Sequence, residues 1–233
     1  MTKPQTEDKA RLRDAATILL VRRGPDGPSV LMGMRGAAAA FMPSKYVFPG
    51  GAVDADDALV PLAAPLGAAC AGRIAADAPA GLATALAAAA VRELWEETGL
   101  MLGVPGQWPG AVPPDWAGFA ATGNLPSAAP LTFVFRAITP PGRPRRFDAR
   151  FFLADAADVL GDPDDFSLAC DELSHLHWVP ITTARRLNLP FITEVVLAEV
   201  AALLEISGDT IATPESVPFF DNSGADSTFR RLA

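Results

Sequence analysis

The feature that most constrains this chain is a helix that ends in the wrong charges. Leu82 to Thr98, "LATALAAAAVRELWEET", consists largely of strong helix formers, and Gly99 stands where a C-terminal cap belongs. At ~100° per residue, Ala87, Ala88, Val91, Leu94 and Trp95 share one face, and Glu93, Glu96 and Glu97 fall together on the opposite one. Like charges at i,i+3 and i,i+4 destabilise a helix by about 0.2–0.5 kcal/mol per pair. The last turn is also the negative end of the helix dipole. Three carboxylates placed there are unfavourable on both counts, and an Arg92–Glu96 pair relieves only part of the strain. Read blandly, they form a solvated acidic face. Read chemically, they are hard oxygen donors on one side of a helix, the set that Mg²⁺ or Mn²⁺ takes, and a divalent ion would turn the repulsion into binding.

The rest of the chain gives this helix something to pack on. Asp14 to Arg23, "DAATILLVRR", and "SVLMGMRG" read as two strands across the turn "GPDG". "KYVFPGG" is a short strand stopped at Pro49-Gly50-Gly51. "LTFVFRAITP" and "RRFDARFFLADA" form a hairpin around "PGRP", "LHWVPI" is a further strand, and "ITEVVLAEVAALLEI" is a late amphipathic helix. Trp108 and Trp116 pin the proline- and glycine-rich stretch between Gly103 and Phe119. Strands and helices mix without strict alternation, so the expected class is α/β in the α+β sense, a mixed sheet between helices. The expected organisation is one domain over residues 1–233, with a core about 14–206 and a poorly tied-down polar tail about 208–233.

A net charge of −8 argues against a nucleic-acid-binding surface, which needs a concentrated basic face. It does not exclude a small phosphorylated ligand held through metal ions. The opening "MTKPQTEDKARLRDAA" has no apolar core of a secretory signal, and no apolar run is long enough for a bilayer. Cys70 and Cys170 have no local partner. The expected setting is cytoplasmic, with no membrane contact.

Between "VFPGG" and "AAVRELWEETGL" the residues resemble the Nudix box, written G-x5-E-x7-R-E-U-x-E-E-x-G-U with U aliphatic. Arg92, Glu93, Leu94, Glu96, Glu97, Gly99 and Leu100 match its second half. Gly51, five residues and then Asp57 supply the first half, with aspartate where the family has glutamate. The seven-residue gap runs here from Ala58 to Val91, so the box is split by an insertion, helical in character over about 58–80. "VFPGG", "RAITPP" and "RRFDARFF" resemble the branch that contains the peroxisomal coenzyme A diphosphatases of animals. "DELSHLHWVPI" is similar to a segment of coenzyme A-cleaving members, with His175 in place of a second glutamate.

This resemblance implies a Nudix fold and a divalent-ion-dependent hydrolysis of a diphosphate linkage. It implies Mg²⁺ or Mn²⁺ on Glu93, Glu96 and Glu97, with the Gly51 carbonyl and Asp57 as further ligands. Arg92 would fix a carboxylate's rotamer, and Glu96, Glu97 or Glu172 would be the base. Arg35, Arg145 and Arg146 are the candidate phosphate contacts, with Arg143 in the same turn. Coenzyme A or acyl-coenzyme A is the expected substrate. ADP-ribose, NADH or a nucleotide sugar is the alternative within the class, and a non-catalytic ligand sensor is the alternative outside it. A homodimer is also implied.

Overall fold

The structure, a computed structural model, describes residues 11–36, 42–208, 210–224 and 226–233. The expectation about the first ten residues lies outside them. Strands β1 (Leu12–Arg22) and β2 (Ser29–Arg35) form the first hairpin, and β3 (Tyr46–Val47) and β4 (Gly50–Ala52) follow. The inserted stretch holds a 3-10 turn, Ala55–Leu59, and helix α1 (Ala68–Ala75). The acidic helix is α2 (Leu82–Thr98). Then come β5 (Gly103–Pro105), α3 (Ala117–Ala121), β6 (Asn124–Pro126), β7 (Thr132–Ile138) and β8 (Arg146–Asp155). The chain continues through β9 (Leu173–Pro180), α4 (Ile181–Ala184) and α5 (Phe191–Ile206), and ends in β10 (Val217–Asp221) and β11 (Thr228–Leu232).

One mixed sheet in the order β11-β10-β7-β8-β1-β2-β3 carries the molecule, with β4 added on β1 and β9 on β2. β1 is buried on both faces, which is why it reads as a continuous apolar run. Ala16, Ile18 and Leu20 pack with Phe133, Phe152 and Ala154 on the α2 side. Leu19 and Val21 pack with Phe135, Phe151 and Leu153 on the α5 side. Period-two alternation thus splits one strand between two cores, one under each helix.

α2 is buried almost all round, because the inserted segment and the 103–119 loop cover the face that the sheet does not. Trp116 and Phe119 are fully buried there, and Phe119 meets Trp95 edge-on at 5.8 Å. The helix ends at Gly99, whose φ of 75° is left-handed and whose N–H donates to the Trp95 carbonyl at 2.8 Å. Among the described residues no helix is long and apolar enough to cross a membrane.

The tail departs from expectation. Instead of hanging free after Ser207, it returns as β10 and β11, with Phe219 and Phe220 in parallel register with Arg136 and Ala137 of β7. Phe219 sits between the guanidinium groups of Arg136 and Arg230, at 4.3 and 4.5 Å from its ring centre. Stacking of this kind fixes a short strand that its polar surroundings in sequence conceal.

Candidate active site

Three local devices build the site. The turn at Pro49–Gly51 brings β4 alongside β1, pairing Thr17 with Gly50 and Ala16 with Gly51. α2 lies across β4, so its acidic face meets the backbone of the two glycines rather than solvent. The Gly50 N–H donates to Glu97 Oε2 at 2.8 Å. A Cβ on Gly51 would collide with the Glu93 carboxylate, so only glycine lets that side chain lie against the strand. The 3-10 turn then folds Asp57 down onto Arg92.

Arg92, 3 % exposed, organises the carboxylates. Its Nε and Nη2 donate to the two oxygens of Asp57, each at 3.0 Å, a bidentate fork. Nη2 also donates to the Ala52 carbonyl. Nη1 donates to Glu93 Oε1 at 2.9 Å and to Glu96 Oε2 at 3.1 Å. Burial acts to lower the Arg92 pKa, yet the hydrogen bond to Asp57 and the charges of Glu93, Asp57 and Glu96 raise it overall. Across the cleft, Arg35 Nη2 donates to Glu172 Oε1 at 2.7 Å.

The carboxylates nevertheless outnumber their partners. Burial pushes Glu93 from 4.5 up to about 7 against the pull of Arg92, with Glu96 and Glu172 adding to the rise. Burial also raises Glu96, again opposed by Arg92. Glu97 is driven well above the usual carboxylate range by burial and by Glu93, although Gly50 opposes this. Its Oε1 is buried with no hydrogen-bond partner. Among the described residues no three acidic, cysteine or histidine side chains converge as a ready-made cage, because Arg92 stands between Glu93 and Glu96. The donor set still fits a hard divalent cation: an unpartnered buried oxygen on Glu97, a strained Glu93 beside it, and a glycine strand pressed against both.

The site opens into a cleft of about 870 Å³. Glu93, Gly50, Gly51, Glu172 and Arg35 line it, as do Arg13, Lys45, Arg143 and Arg145.

Comparison with known proteins bears on this arrangement. No protein-family model matches the chain. It is 30 % identical over 178 residues to a curated Caenorhabditis elegans protein named "Putative nudix hydrolase 7", a match that takes in 72 % of this chain. The chain spans about half of that relative's length, 51 %. The crystal structure of a NUDIX hydrolase from Alicyclobacillus acidocaldarius superposes with a TM-score of 0.64 at 28 % identity, covering 88 % of this chain and 99 % of the other. This chain belongs to the Nudix hydrolase superfamily.

Within this Nudix chain the structure sorts the residues singled out from sequence. Arg92, Glu93, Glu96 and Glu97 come together with Gly51. Asp57 joins them as the partner of Arg92, not as a donor facing the cleft: Oδ1 is taken by Arg92, and Oδ2 by Arg92 and the Asp54 N–H. Glu172 and Arg35 face the cleft as a pair. Of the basic hairpin, Arg143 and Arg145 line the cleft, whereas Arg146 turns its Nε to the Thr139 carbonyl at 3.1 Å and does not line it. Arg146 begins β8 in register with Leu12 of β1, and the Thr139 carbonyl holds its side chain along the hairpin. Sequence reasoning missed Arg13, which meets the box only through the pairing of β1 with β4, and Lys45, an ordinary charge a few residues before Gly51.

The raised carboxyls give a signed pH dependence. Folded Glu93 keeps its proton to higher pH than the unfolded chain, so its contribution to the stability of the metal-free protein is complete below about 4.5 and is lost as pH rises towards about 7. The loss from Glu93 alone reaches ~3 kcal/mol at ~1.4 kcal/mol per unit, and the raised Glu97 acts in the same direction. Denaturant unfolding in chelator across this range should show wild type losing more stability than Glu93→Gln. Equal curves for the two proteins would contradict the assignment.

Proposed function

We propose that the chain is a metal-dependent diphosphatase acting on a nucleoside diphosphate derivative, with coenzyme A or acyl-coenzyme A as the leading substrate. One observation carries the reading. Glu97, buried and bound on one oxygen by Gly50, keeps its other oxygen unpartnered, and its neighbour Glu93 lines the cleft. A solvated acidic face has no such oxygen.

Glu93, Glu96 and Glu97, with the Gly51 carbonyl, would hold Mg²⁺ or Mn²⁺. The bound ion supplies charge neutralisation on the bridging phosphates and a lowered pKa for a ligated water. The chain's own residues do the rest. Arg92 holds Glu93 and Glu96 in fixed rotamers, and Asp57 holds Arg92. Gly50 fixes Glu97. Arg35, Arg143, Arg145, Lys45 and Arg13 present positive charge to the phosphates, and Arg35 can exchange Glu172 for a phosphate oxygen. Glu172 is exposed at the cleft and is our choice for the group that takes the water's proton. The cationic rim suits a substrate with more phosphate than the scissile pair, which favours coenzyme A over ADP-ribose.

The test is an assay of coenzyme A, acyl-coenzyme A, ADP-ribose and NADH with Mg²⁺ or Mn²⁺, with products identified by mass. Adenosine 3′,5′-bisphosphate plus (acyl-)phosphopantetheine is the expected result. Cleavage of ADP-ribose or NADH alone would move the substrate to the alternative class. No cleavage of any of them would favour a ligand sensor.

A further inference from the structure

The strand that follows Glu172 is irregular at one point. β9 pairs with β2 at His177–Met32 and again at Ser174–Met34, so two steps along β2 are matched by three along β9. The extra residue makes a β-bulge, and His175 within it has a φ of 52°. That is left-handed backbone, which a residue with a Cβ adopts only at a cost. Gly33, between the two paired methionines, makes room for the bulge. A Cβ there would come within 2.9 Å of Leu173 Cβ and 3.0 Å of Leu176 Cδ2.

The bulge decides what faces the cleft. Side chains alternate along a strand, so a one-residue change of register exchanges its two faces. As the chain stands, Leu173 pairs with Arg35 and is buried, and Glu172 reaches Arg35 Nη2 at 2.7 Å and lines the cleft. Regular pairing onward from His177 would put Ser174 opposite Arg35 and Leu173 where Glu172 now stands.

His177 holds the strained residue. Its Nδ1 lies 2.7 Å from the His175 carbonyl oxygen. A carbonyl oxygen only accepts, so Nδ1 carries the ring's proton. The ring stands edge-on to Tyr46 of β3, with centres 5.7 Å apart, which fixes it from the other side. Ser174 Oγ donates to the Met34 carbonyl at 3.1 Å and secures the far end of the bulge.

We infer that His177 is a positioning residue for the hydrolysis: it clips His175 in its left-handed conformation, and the bulge so held keeps Glu172 at the cleft beside Arg35. The inference rests on the choice of Glu172 as proton acceptor in the diphosphatase reading and names what fixes that side chain. His177 is not among the residues that line the cleft, so it acts through the strand.

The test joins hydrogen exchange to kinetics. His177→Phe keeps a ring against Tyr46 and removes the donor. Amide exchange over residues 172–177 should then quicken about five- to tenfold, the factor that one hydrogen bond is worth. The kcat for whichever diphosphate the wild type cleaves should fall about three- to tenfold, with KM and the heat of Mn²⁺ binding unchanged. Two further variants separate the clip from a general loosening. His177→Asn, whose amide nitrogen can stand near the place of Nδ1, should recover most of both losses. Adding His175→Gly to His177→Phe should recover kcat, because glycine takes the left-handed conformation unaided. In a Glu172→Gln background His177→Phe should lower kcat no further, since the group it positions is gone. A fall as large there as in the wild-type background overturns the role, as does exchange that His177→Phe leaves unchanged. A wild type that cleaves no diphosphate overturns the diphosphatase reading instead, and exchange of the segment still tells whether the clip holds the bulge.

Discussion

Glu97→Gln should remove hydrolysis while leaving the metal-free protein at least as stable as wild type. The amide oxygen can still accept the Gly50 N–H, and the side chain keeps its volume, so neither packing nor the β4 contact is lost. What disappears is a buried negative charge whose folded state is already penalised by burial and by Glu93. At neutral pH the variant should resist denaturant better than wild type, because the charge being removed has one oxygen without a partner. Losing one metal carboxylate should cost roughly 4 kcal/mol of transition-state stabilisation, about a thousandfold in rate. Calorimetry with Mn²⁺ should show the heat of binding sharply reduced. The pairing of higher stability with lost chemistry separates this reading from a structural one. If Glu97→Gln binds Mn²⁺ as wild type does and retains its rate, the cluster is not the metal site.

That prediction was partly legible in the sequence. Helical spacing alone places Glu93, Glu96 and Glu97 on one face, and their mutual repulsion at a helix end raises the question of a cation. Spacing does not reveal that the face is buried. That follows from the turn at Pro49–Gly51, which slides a side-chain-free strand under α2. Asp57 was legible as a member of the box but not in its role. The turn that starts at Asp54 aims it at Arg92, and that requires the inserted segment to loop out and return. The closing hairpin was missed for a different reason. Val217 to Asp221 is too short and too polar in its surroundings to announce a strand, and its partner β7 lies some eighty residues earlier. The rim of the cleft shows the same limit. Arg13 and Lys45 are ordinary charges in sequence and join Arg143 and Arg145 around one cleft only when the strands come into register.

Asp57 carries the second large effect. Asp57→Ala should destabilise the fold by about 3–5 kcal/mol, since it leaves a buried guanidinium with two of its donors unmatched. For a chain of this size that is roughly a 6–20 °C fall in melting temperature. The turn also loses its cap, because Oδ2 accepts the Asp54 N–H at 2.9 Å. Asp57→Asn keeps the shape and an acceptor but sets an amide N–H₂ against Arg92, so it should be nearly as damaging as alanine; charge and geometry matter here more than volume. Asp57→Glu restores the residue usual in the box, yet adds a methylene where the side chain is 1 % exposed, and should cost about 1–3 kcal/mol through overpacking. Denaturant unfolding reads all three. Calorimetry with Mn²⁺ supplies the contrast, for a metal ligand and a partner of Arg92 fail differently. A ligand lost at this position would abolish Mn²⁺ binding and relieve the metal-free protein of repulsion, as Glu97→Gln should. A partner lost should do the reverse: stability falls with or without metal, and Mn²⁺ still binds to the folded fraction, more weakly because Arg92 no longer holds Glu93 and Glu96 in place. If Asp57→Ala proves as stable as wild type and blind to Mn²⁺, the fork seen between Asp57 and Arg92 is not what holds this end of α2.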